Sequence, residues 1–400
     1  MADALRRRIG LGLLTAYGVG VMVGAGICVL VGAVAAEAGL WAPLSFLLAG
    51  LIAAPTALSY AEFSTRLPEA AGEAIYVARG LDLPWLGQLV GLAIVAAGTV
   101  SAAAVLRGGV GYLVFFTGLP QAAAVVVIGL ALVAVAVIGV LESLALAAVF
   151  TVTEVLGLVL VIHAGASAPA VAAVADLPMI TAPGVMAGVA VGAELAFFAF
   201  IGFEDIVNMA EEVTRPTHTL PRAILLSLAI TGLLYMLVAL AAIRAVPLAQ
   251  LGASEQPLAL VWQAAHGGNA AFLSLIAVGA ALNGVLAQMV MAARVLFGLG
   301  RRSEVFAVFH HAHPRFGTPV LATLLIGALV ILGALIAPVA GLAGVTSALL
   351  LTVFVLVNGA LLGMKRQVPQ AAFRVPMAVP LAGLGLSLGA LAVMLFGGGA

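Results

Sequence analysis

The chain is poor in charge and in cysteine. Only 8% of its 400 residues are charged and 64% are hydrophobic, whereas a soluble domain carries about 25% charge. This composition excludes a soluble globular protein. The single cysteine, Cys28, excludes an intrachain disulfide. The net charge is zero, so charge gives no indication of a nucleic-acid partner.

In place of polar segments the chain has apolar runs, each long enough to cross a membrane as a helix of about 20 residues. The runs are continuous, which favours helices over the alternating strands of a barrel. We expect an all-α integral membrane protein of about eleven transmembrane helices, with residues 1–400 forming a single membrane domain in a lipid bilayer. The expected spans are 10–36, 40–63, 85–115, 120–140, 143–165, 184–212, 220–245, 270–298, 318–336, 341–361 and 376–396.

The basic residues are distributed unevenly between the two sides of this scheme. With the N-terminus inside, fourteen of the sixteen Lys and Arg residues fall on or near the cytoplasmic side, and Arg107 and Arg244 fall toward the outside. Loops rich in Lys and Arg stay inside. We therefore expect a multi-pass protein of the inner (cytoplasmic) membrane with a cytoplasmic N-terminus. Eleven spans would leave the C-terminus outside.

The first expected span is rich in glycine. Gly18, Gly20, Gly24 and Gly26 fall within nine residues, and each lowers helix stability by about 1 kcal/mol relative to alanine. Lipid tolerates an interrupted helix only where it is buried in protein or lines a cavity. Amides freed at Gly24, Ala25 and Gly26 would begin a second half-helix, whose N-terminus suits a carboxylate. The alternative is close helix packing through small residues.

The sixth expected span combines aromatic and acidic residues. It reads Phe-Phe-Ala-Phe-Ile-Gly-Phe-Glu-Asp over residues 197–205. Charged groups at membrane depth are costly and usually mark a path or a pairing. Carbonyls freed near Phe198 and Ile201 would accept hydrogen bonds from an ammonium group, so spans 1 and 6 together suit a zwitterion. The alternative is that Glu204 and Asp205 lie at the inner interface and that the phenylalanines face lipid.

The two unusual spans are five helices apart. Five is odd, so a second copy of a five-helix unit would have inverted topology. Interrupted helices at corresponding positions of two inverted halves indicate a transport site near the membrane midplane.

Several motifs resemble those of the amino acid–polyamine–organocation superfamily of secondary transporters. The resemblance covers nearly the whole chain, and the motifs of spans 1 and 6 are its most specific part. The matching segments are Gly20 to Ile27, Phe197 to Glu204, Glu211-Glu212 with Pro216 and Pro221-Arg222, 313–319 and 373–376.

This resemblance implies two inverted five-helix repeats, at about 10–165 and 184–361, with an appended helix at about 376–396 and interrupted helices 1 and 6. It also implies transport of amino acids or related amines by alternating access. The substrate carboxylate would bind the amides of span 1, and its amino group would bind carbonyls near Met22, Phe198 and Ile201. The implied substrate-binding residues are Met22, Gly24, Ala25, Gly26, Ile27, Phe198, Ala199, Phe200, Ile201, Gly202 and Phe203.

Two further roles follow from the resemblance. Phe198 or Phe203 would be the aromatic gate over the substrate, and Glu204 would act in gating or proton sensitivity. The chain departs from the family pattern at Cys28, where an aromatic residue is common, and in having eleven rather than twelve spans.

Glu154 lies near the middle of the fifth expected span, in a region where some relatives have a lysine that replaces a sodium ion. Burial disfavours the charged form of a carboxyl group, so Glu154 would bind and release a proton. Proton symport is then the first choice and exchange the second. The competing interpretation is a structural hydrogen bond from Glu154 to span 1 or span 8.

Other classes of protein are less favoured. No catalytic motif is present, so we expect neither an enzyme nor a cofactor, and we expect His310, His311 and His313 to be solvated rather than to bind metal. A non-transporting sensor or partner subunit with the same fold stays open, as does a channel. Neutral or apolar amino acids are favoured over cationic ones, because Glu204 alone among the acidic residues is expected to reach the pocket.

Overall fold

The chain forms a bundle of long helices. The computed structural model describes residues 9–68, 72–138, 144–171, 178–210, 213–254, 256–268, 270–313 and 317–396. Over these residues ten helical stretches are long and apolar enough to cross a membrane, and Val320–Ile336 is a shorter apolar helix. The all-helical membrane class is confirmed, while the count of eleven depends on the shorter helix and stays a prediction. Arg6, Arg7, Arg8, Glu211, Glu212 and Arg315 lie outside the described residues.

Two sets of helices follow one another along the chain, with most ends within a few residues of the expected spans. The first expected span forms two helices, and the regular helix of the sixth ends early. The first set comprises α1 Leu11–Val23, α2 Ala25–Ala38, α3 Ala42–Arg66, α4 Gly72–Leu81, α5 Pro84–Thr117, α6 Gln121–Ile138 and α7 Leu144–Ser167. The second comprises α8 Val185–Ala199, α9 Pro216–Ala245, α10 Leu248–Ala253, α11 Pro257–His266, α12 Ala271–Arg302, α13 Val320–Ile336, α14 Val339–Gln367 and α15 Ala378–Phe396.

The first and sixth expected spans lie at the centre of the bundle. Helix α1 packs against α7 and α9, and α2 packs against α8. Helix α3 contacts both α8 and α9, and α5 packs along α12. Irregular backbone in these two spans is therefore enclosed by other helices, as the absence of water in a bilayer requires.

The two arginines that depart from the basic asymmetry, Arg107 and Arg244, both bind helix ends. Arg107 donates through Nη1 to the carbonyl oxygen of Ala334 at 2.7 Å, near the end of α13. Nη1 of Arg244 lies 2.6–2.9 Å from three carbonyl oxygens at the end of α7, those of Gly165, Ala166 and Ala168. A cation there offsets the partial negative charge of a helix C-terminus, which gives both arginines a structural role in the bundle.

A buried ion cluster joins α3 to the last two helices. The Glu62 side chain is fully buried, and its oxygens lie 2.6 Å from Arg66 Nη2 and 2.6 Å from Lys365 Nζ. The main-chain N–H of Val375, which precedes α15, donates to Glu62 Oε2 at 2.9 Å. Removing one partner would leave a buried charge without compensation, so the cluster fixes the approach of α14 and α15 to α3.

Helix α4 is an element that the sequence patterns did not predict. It lies in a segment that the expected spans leave out, and it packs against α5 and α14. Its residues Ile75, Tyr76 and Val77 are buried, and Glu73 is only 4% exposed. Burial raises the pKa of Glu73 to about 8, because a charged carboxylate loses its hydration there.

This position of Glu73 predicts a pH dependence of stability. A carboxyl pKa that is raised on folding favours the folded protein below the unfolded pKa, and that contribution is lost as the pH rises through the folded value. As the pH is raised from about 5 to about 8.5, the melting temperature of wild type should therefore fall relative to that of Glu73→Gln, by roughly 3 °C or more. Thermal unfolding of the detergent-purified protein across this pH range measures it.

The matched control for this experiment is Glu37→Gln, which removes one carboxyl group in the same way but at an exposed position. A difference between Glu73→Gln and wild type that stays constant from pH 5 to pH 8.5 would contradict the burial argument.

Candidate functional site

Span 1 breaks at Gly24. Helix α1 ends at Val23, Gly24 has φ −38° and ψ −166°, and α2 begins at Ala25 without a side-chain cap. The first N–H groups of a helix have no partner within it, and a helix N-terminus has a partial positive charge. The interruption of span 1 is confirmed, and it presents open amide donors at Ala25 and Gly26.

Other glycines of the same span serve close packing. A methyl group on Gly20 would overlap Thr151 on α7, and one on Gly18 would overlap Ser227 on α9. The alternative interpretation, close helix packing through small residues, therefore applies to Gly18 and Gly20 before the break and not to Gly24 at the break itself.

Span 6 is interrupted as well. Helix α8 ends at Ala199, a turn covers residues 200–203, and a 3₁₀ segment runs over Glu204–Met209. Gly202 has φ +123°, a conformation that L side chains rarely adopt. Its N–H donates to Glu204 Oε2 at 3.0 Å, so the Glu204 side chain closes the turn of its own break.

The two breaks are in contact. A methyl group on Gly202 would come within 2.6 Å of Val21 Cγ1 and within 3.3 Å of the main-chain nitrogen of Met22. A methyl group on Gly26 would come within 3.3 Å of Ala199 Cα. Glycines thus let the turn of span 6 approach the end of α1 and let α2 approach the end of α8, so residues of the two predicted segments meet.

Tyr235 on α9 joins the two breaks and was missed by the sequence patterns. Its hydroxyl lies within hydrogen-bond distance of the carbonyl oxygens of Met22 and Ala199. A hydroxyl has one proton to donate, so one of these carbonyls keeps its acceptor capacity. A tyrosine inside an apolar span usually has a polar partner, and that was the available signal.

The phenylalanines of span 6 face the protein interior. Phe197, Phe198, Phe200 and Phe203 are all buried, so the alternative that they face lipid is wrong. Phe200 packs edge-on against Tyr235 at 5.3 Å between ring centroids.

Phe198 and Phe203, the two candidates for the aromatic gate, occupy different surroundings. The ring of Phe198 lies beside Gly26, 3.7 Å from where a methyl group there would be. Phe203 packs against Tyr60 at 5.7 Å and Phe354 at 5.3 Å between ring centroids. Phe198 therefore adjoins the open amides, whereas Phe203 belongs to an aromatic cluster with α3 and α14.

The two acidic residues after the break are both buried. Glu204 is bound by Gly202, and Asp205 Oδ2 accepts from Gln288 Nε2 on α12 at 3.1 Å. Each carboxyl group therefore already has a local hydrogen-bond donor.

Glu154 lies to one side of the broken span. It is 3% exposed, and neither carboxyl oxygen has a hydrogen bond of normal geometry among the described residues. The side chain of Asn283 on α12 stands near it. The carboxyl group lines a cavity of about 20 Å³ together with Val23, Cys28 and Tyr112, room for about one water molecule.

Comparison with known proteins agrees with this geometry. The amino acid permease family model matches residues 9–399. The chain is 29% identical to the branched-chain amino acid permease of Bacillus subtilis, over 96% of this chain and 86% of the permease.

Two further relatives have different names. The chain is 32% identical to the mitochondrial cationic amino acid transporter 3 of Arabidopsis thaliana, over 82% of this chain and 57% of that protein. It is 30% identical to the methylthioribose transporter of Bacillus subtilis, over 86% of this chain and 79% of that protein.

A multi-pass helical bundle with two interrupted central spans defines a membrane transporter. The chain belongs to the amino acid permease family, which confirms the resemblance to the amino acid–polyamine–organocation superfamily, and amino acid transport is its general activity. The inverted repeat and the roles of individual residues remain predictions.

The contact between the breaks predicts that Gly202→Ala is severe. The φ of Gly202 is unfavourable for alanine and the added methyl group would overlap Val21. Strain of this kind costs about 1–3 kcal/mol. We expect a lower melting temperature and at least tenfold slower uptake of radiolabelled amino acid into proteoliposomes.

Gly12→Ala is the matched control, because nothing lies within 4 Å of a methyl group at that position of α1. Equal uptake by the two variants would contradict the close approach of the breaks.

Proposed function

We propose that the chain is a secondary active transporter that moves amino acids across the cytoplasmic membrane by alternating access. The observation that supports this most directly is the contact between an uncapped helix N-terminus at Gly24 and a carbonyl-bearing turn at Ala199 to Gly202. One end offers N–H donors and the other offers acceptors, the arrangement that an α-amino acid zwitterion needs.

The substrate carboxylate binds the amides of Gly24, Ala25 and Gly26 in this proposal. Its ammonium group binds carbonyls at Met22 and Ala199, with Phe198 and Ile201 alongside. Because Tyr235 donates to one of the two carbonyls at a time, binding of the ammonium group redistributes a hydrogen bond between the two broken spans. Ile27, Phe200, Gly202 and Phe203 complete the site as packing and hinge positions.

The remaining architecture is part of the proposal. Residues 10–165 and 184–361 are two inverted repeats, and residues 376–396 form an appended helix. The N-terminus is cytoplasmic, which is supported by the basic residues and by the structural reason found for the two exceptions, Arg107 and Arg244. Of the two candidates, Phe198 is the proposed aromatic gate over the substrate, because its ring adjoins Gly26.

Neutral amino acids are the proposed substrates. Among the described residues near the breaks, Glu204 is bound by Gly202 and Asp205 by Gln288. Each carboxyl group is thus already engaged by a donor of the protein, which lowers its need for a second cation on the substrate. The name of the branched-chain amino acid permease agrees with a preference for neutral amino acids, and the name of the cationic amino acid transporter does not.

Proton symport through Glu154 is the proposed coupling. A buried carboxyl group without a counter-charge favours its neutral form, and Glu154 adjoins Cys28 on the half-helix that binds substrate. Amino acid exchange is the alternative coupling. A sensor or partner subunit that binds without transporting is the alternative class, and binding without flux would identify it.

The first test of this proposal is ligand stabilisation. A ligand that binds only the folded state at 100 times its Kd stabilises the protein by about 2.7 kcal/mol. Leucine, isoleucine or valine should raise the melting temperature of the purified protein by several degrees, and arginine should raise it less. Leucinamide, which lacks the carboxylate, is the matched control and should have little effect. The absence of any shift across the amino acids would count against the site.

The second test addresses coupling. Glu154→Gln in proteoliposomes should abolish accumulation driven by an inward pH gradient, a loss of at least tenfold, while counterflow of labelled against unlabelled substrate persists. The control is Glu194→Gln, a half-buried carboxyl group on α8 that does not line the cavity. Unchanged gradient-driven accumulation by Glu154→Gln would overturn proton coupling through this residue.

A further inference from the structure

A second, larger cavity opens at one end of the bundle. Its volume is about 400 Å³, and its walls include Gly111 and Val114 near the end of α5 and Ala259 and Leu260 on α11. Helix α11 follows the end of α9, so the proposed orientation puts this vestibule at the outer face.

The vestibule and the Glu154 cavity share two walls. On α5, Gly111 and Val114 of the vestibule flank Tyr112 of the small cavity. On α11, Leu258 of the small cavity directly precedes Ala259 of the vestibule. Tyr112 and Leu258 are therefore the residues of the small cavity that adjoin vestibule residues along the chain, and we refer to this pair as the barrier.

Two polar contacts among the described residues lie at this barrier. Tyr112 is 1% exposed, and its hydroxyl donates to the carbonyl oxygen of Cys28 at 2.6 Å. At the start of α11, Gln256 Nε2 lies 3.5 Å from the carbonyl oxygen of Gly111, which is long for a hydrogen bond. The hydrogen bond that anchors Tyr112 is thus made to α2, the half-helix of the break.

Glu154 is the polar group that needs such a connection. Neither of its oxygens has a hydrogen bond of normal geometry among the described residues, and Asn283 is the polar side chain that stands near them. A buried carboxyl group with so little hydrogen bonding is costly unless it is neutral or hydrated. The cavity has room for about one water molecule, which would bridge the carboxyl group toward the barrier.

The described groups that face Glu154 are apolar, polar or titratable side chains without a positive charge. From the elements packed around it they are Val23 on α1, Cys28 on α2, Tyr112 on α5, Tyr235 on α9, Leu258 on α11 and Asn283 on α12. Cys28 and the two tyrosines are the titratable members. Among the described residues that line this cavity there is no Lys, Arg or His, so a proton is the charge that can neutralise Glu154.

We propose that Glu154 exchanges its proton with the outer face through the vestibule between α5 and α11, and that Tyr112 is the positioning residue that opens and closes this route. The inference rests on the proposed proton coupling and orientation. It adds a path and a gating side chain that lie apart from the zwitterion site.

Cys28 offers a direct readout, because it lines the small cavity and is the single cysteine of the chain. A membrane-impermeant reagent, 2-(trimethylammonium)ethyl methanethiosulfonate, is applied to intact cells that express the full-length protein. We expect slow modification of Cys28 in wild type and at least tenfold faster modification in Tyr112→Ala. The same reagent applied to inside-out vesicles should show no such acceleration.

Leu260→Ala is the matched control, because Leu260 lines the vestibule but not the small cavity, and its labelling rate should equal that of wild type. If Tyr112→Ala does not purify as a folded protein, Leu258→Ala removes the other half of the barrier and should accelerate labelling in the same way. Equal labelling of wild type and of the folded barrier variant would overturn the proposed route.

A transport readout separates this proposal from the coupling proposal. Tyr112→Phe keeps the ring and loses the bond to Cys28, so accumulation driven by a pH gradient should fall at least threefold while counterflow is retained. If Glu154→Gln leaves gradient-driven accumulation intact, the coupling proposal fails. If Glu154→Gln abolishes it but Tyr112→Phe accumulates like wild type and Cys28 labelling is unchanged, the route alone fails.

Discussion

The rest of the structure depends on one constraint, which is that main-chain N–H and C=O groups must find partners where no water is present. Two central spans break this pattern, at Gly24 and at residues 200–203. Such breaks persist only because surrounding helices enclose them and supply partners. Tyr235 reaches carbonyls on both sides, and the Glu204 side chain binds the amide of Gly202.

The same constraint explains the distribution of small residues. Glycines at 18, 20, 26 and 202 allow neighbouring backbones and side chains to approach where a methyl group would overlap them. In lipid, helix association relies on such close packing, because apolar surface alone gives no preference for protein over lipid. Glycine therefore weakens the helix at the break. It also allows the close packing of neighbouring helices that encloses the break.

Much of this arrangement was predictable from the sequence, because its signals are local. Hydrophobic run length predicted most span ends, and four glycines within nine residues predicted the break of span 1. Helix α4 and Tyr235 were missed for physical reasons: α4 is too short to register as a span, and the partners of Tyr235 come from helices distant in sequence. The role of Glu62 was missed for the same reason, because its charge is compensated partly by Lys365, which lies about three hundred residues later in the sequence.

The position of Glu154 bears on how a proton and a substrate are coupled. The carboxyl group does not enter the zwitterion site, yet it shares a cavity with Cys28, and Cys28 lies one turn into α2, whose first amides are proposed to bind the substrate carboxylate. Tyr112 binds the carbonyl of that same residue. In the proposed mechanism, substrate binding at the N-terminus of α2 and proton access to Glu154 therefore act on one short helix. Coupling then needs no direct contact between the proton and the substrate, because each biases the equilibrium between two positions of α2. A ligand shifts such an equilibrium only by its difference in affinity for the two positions.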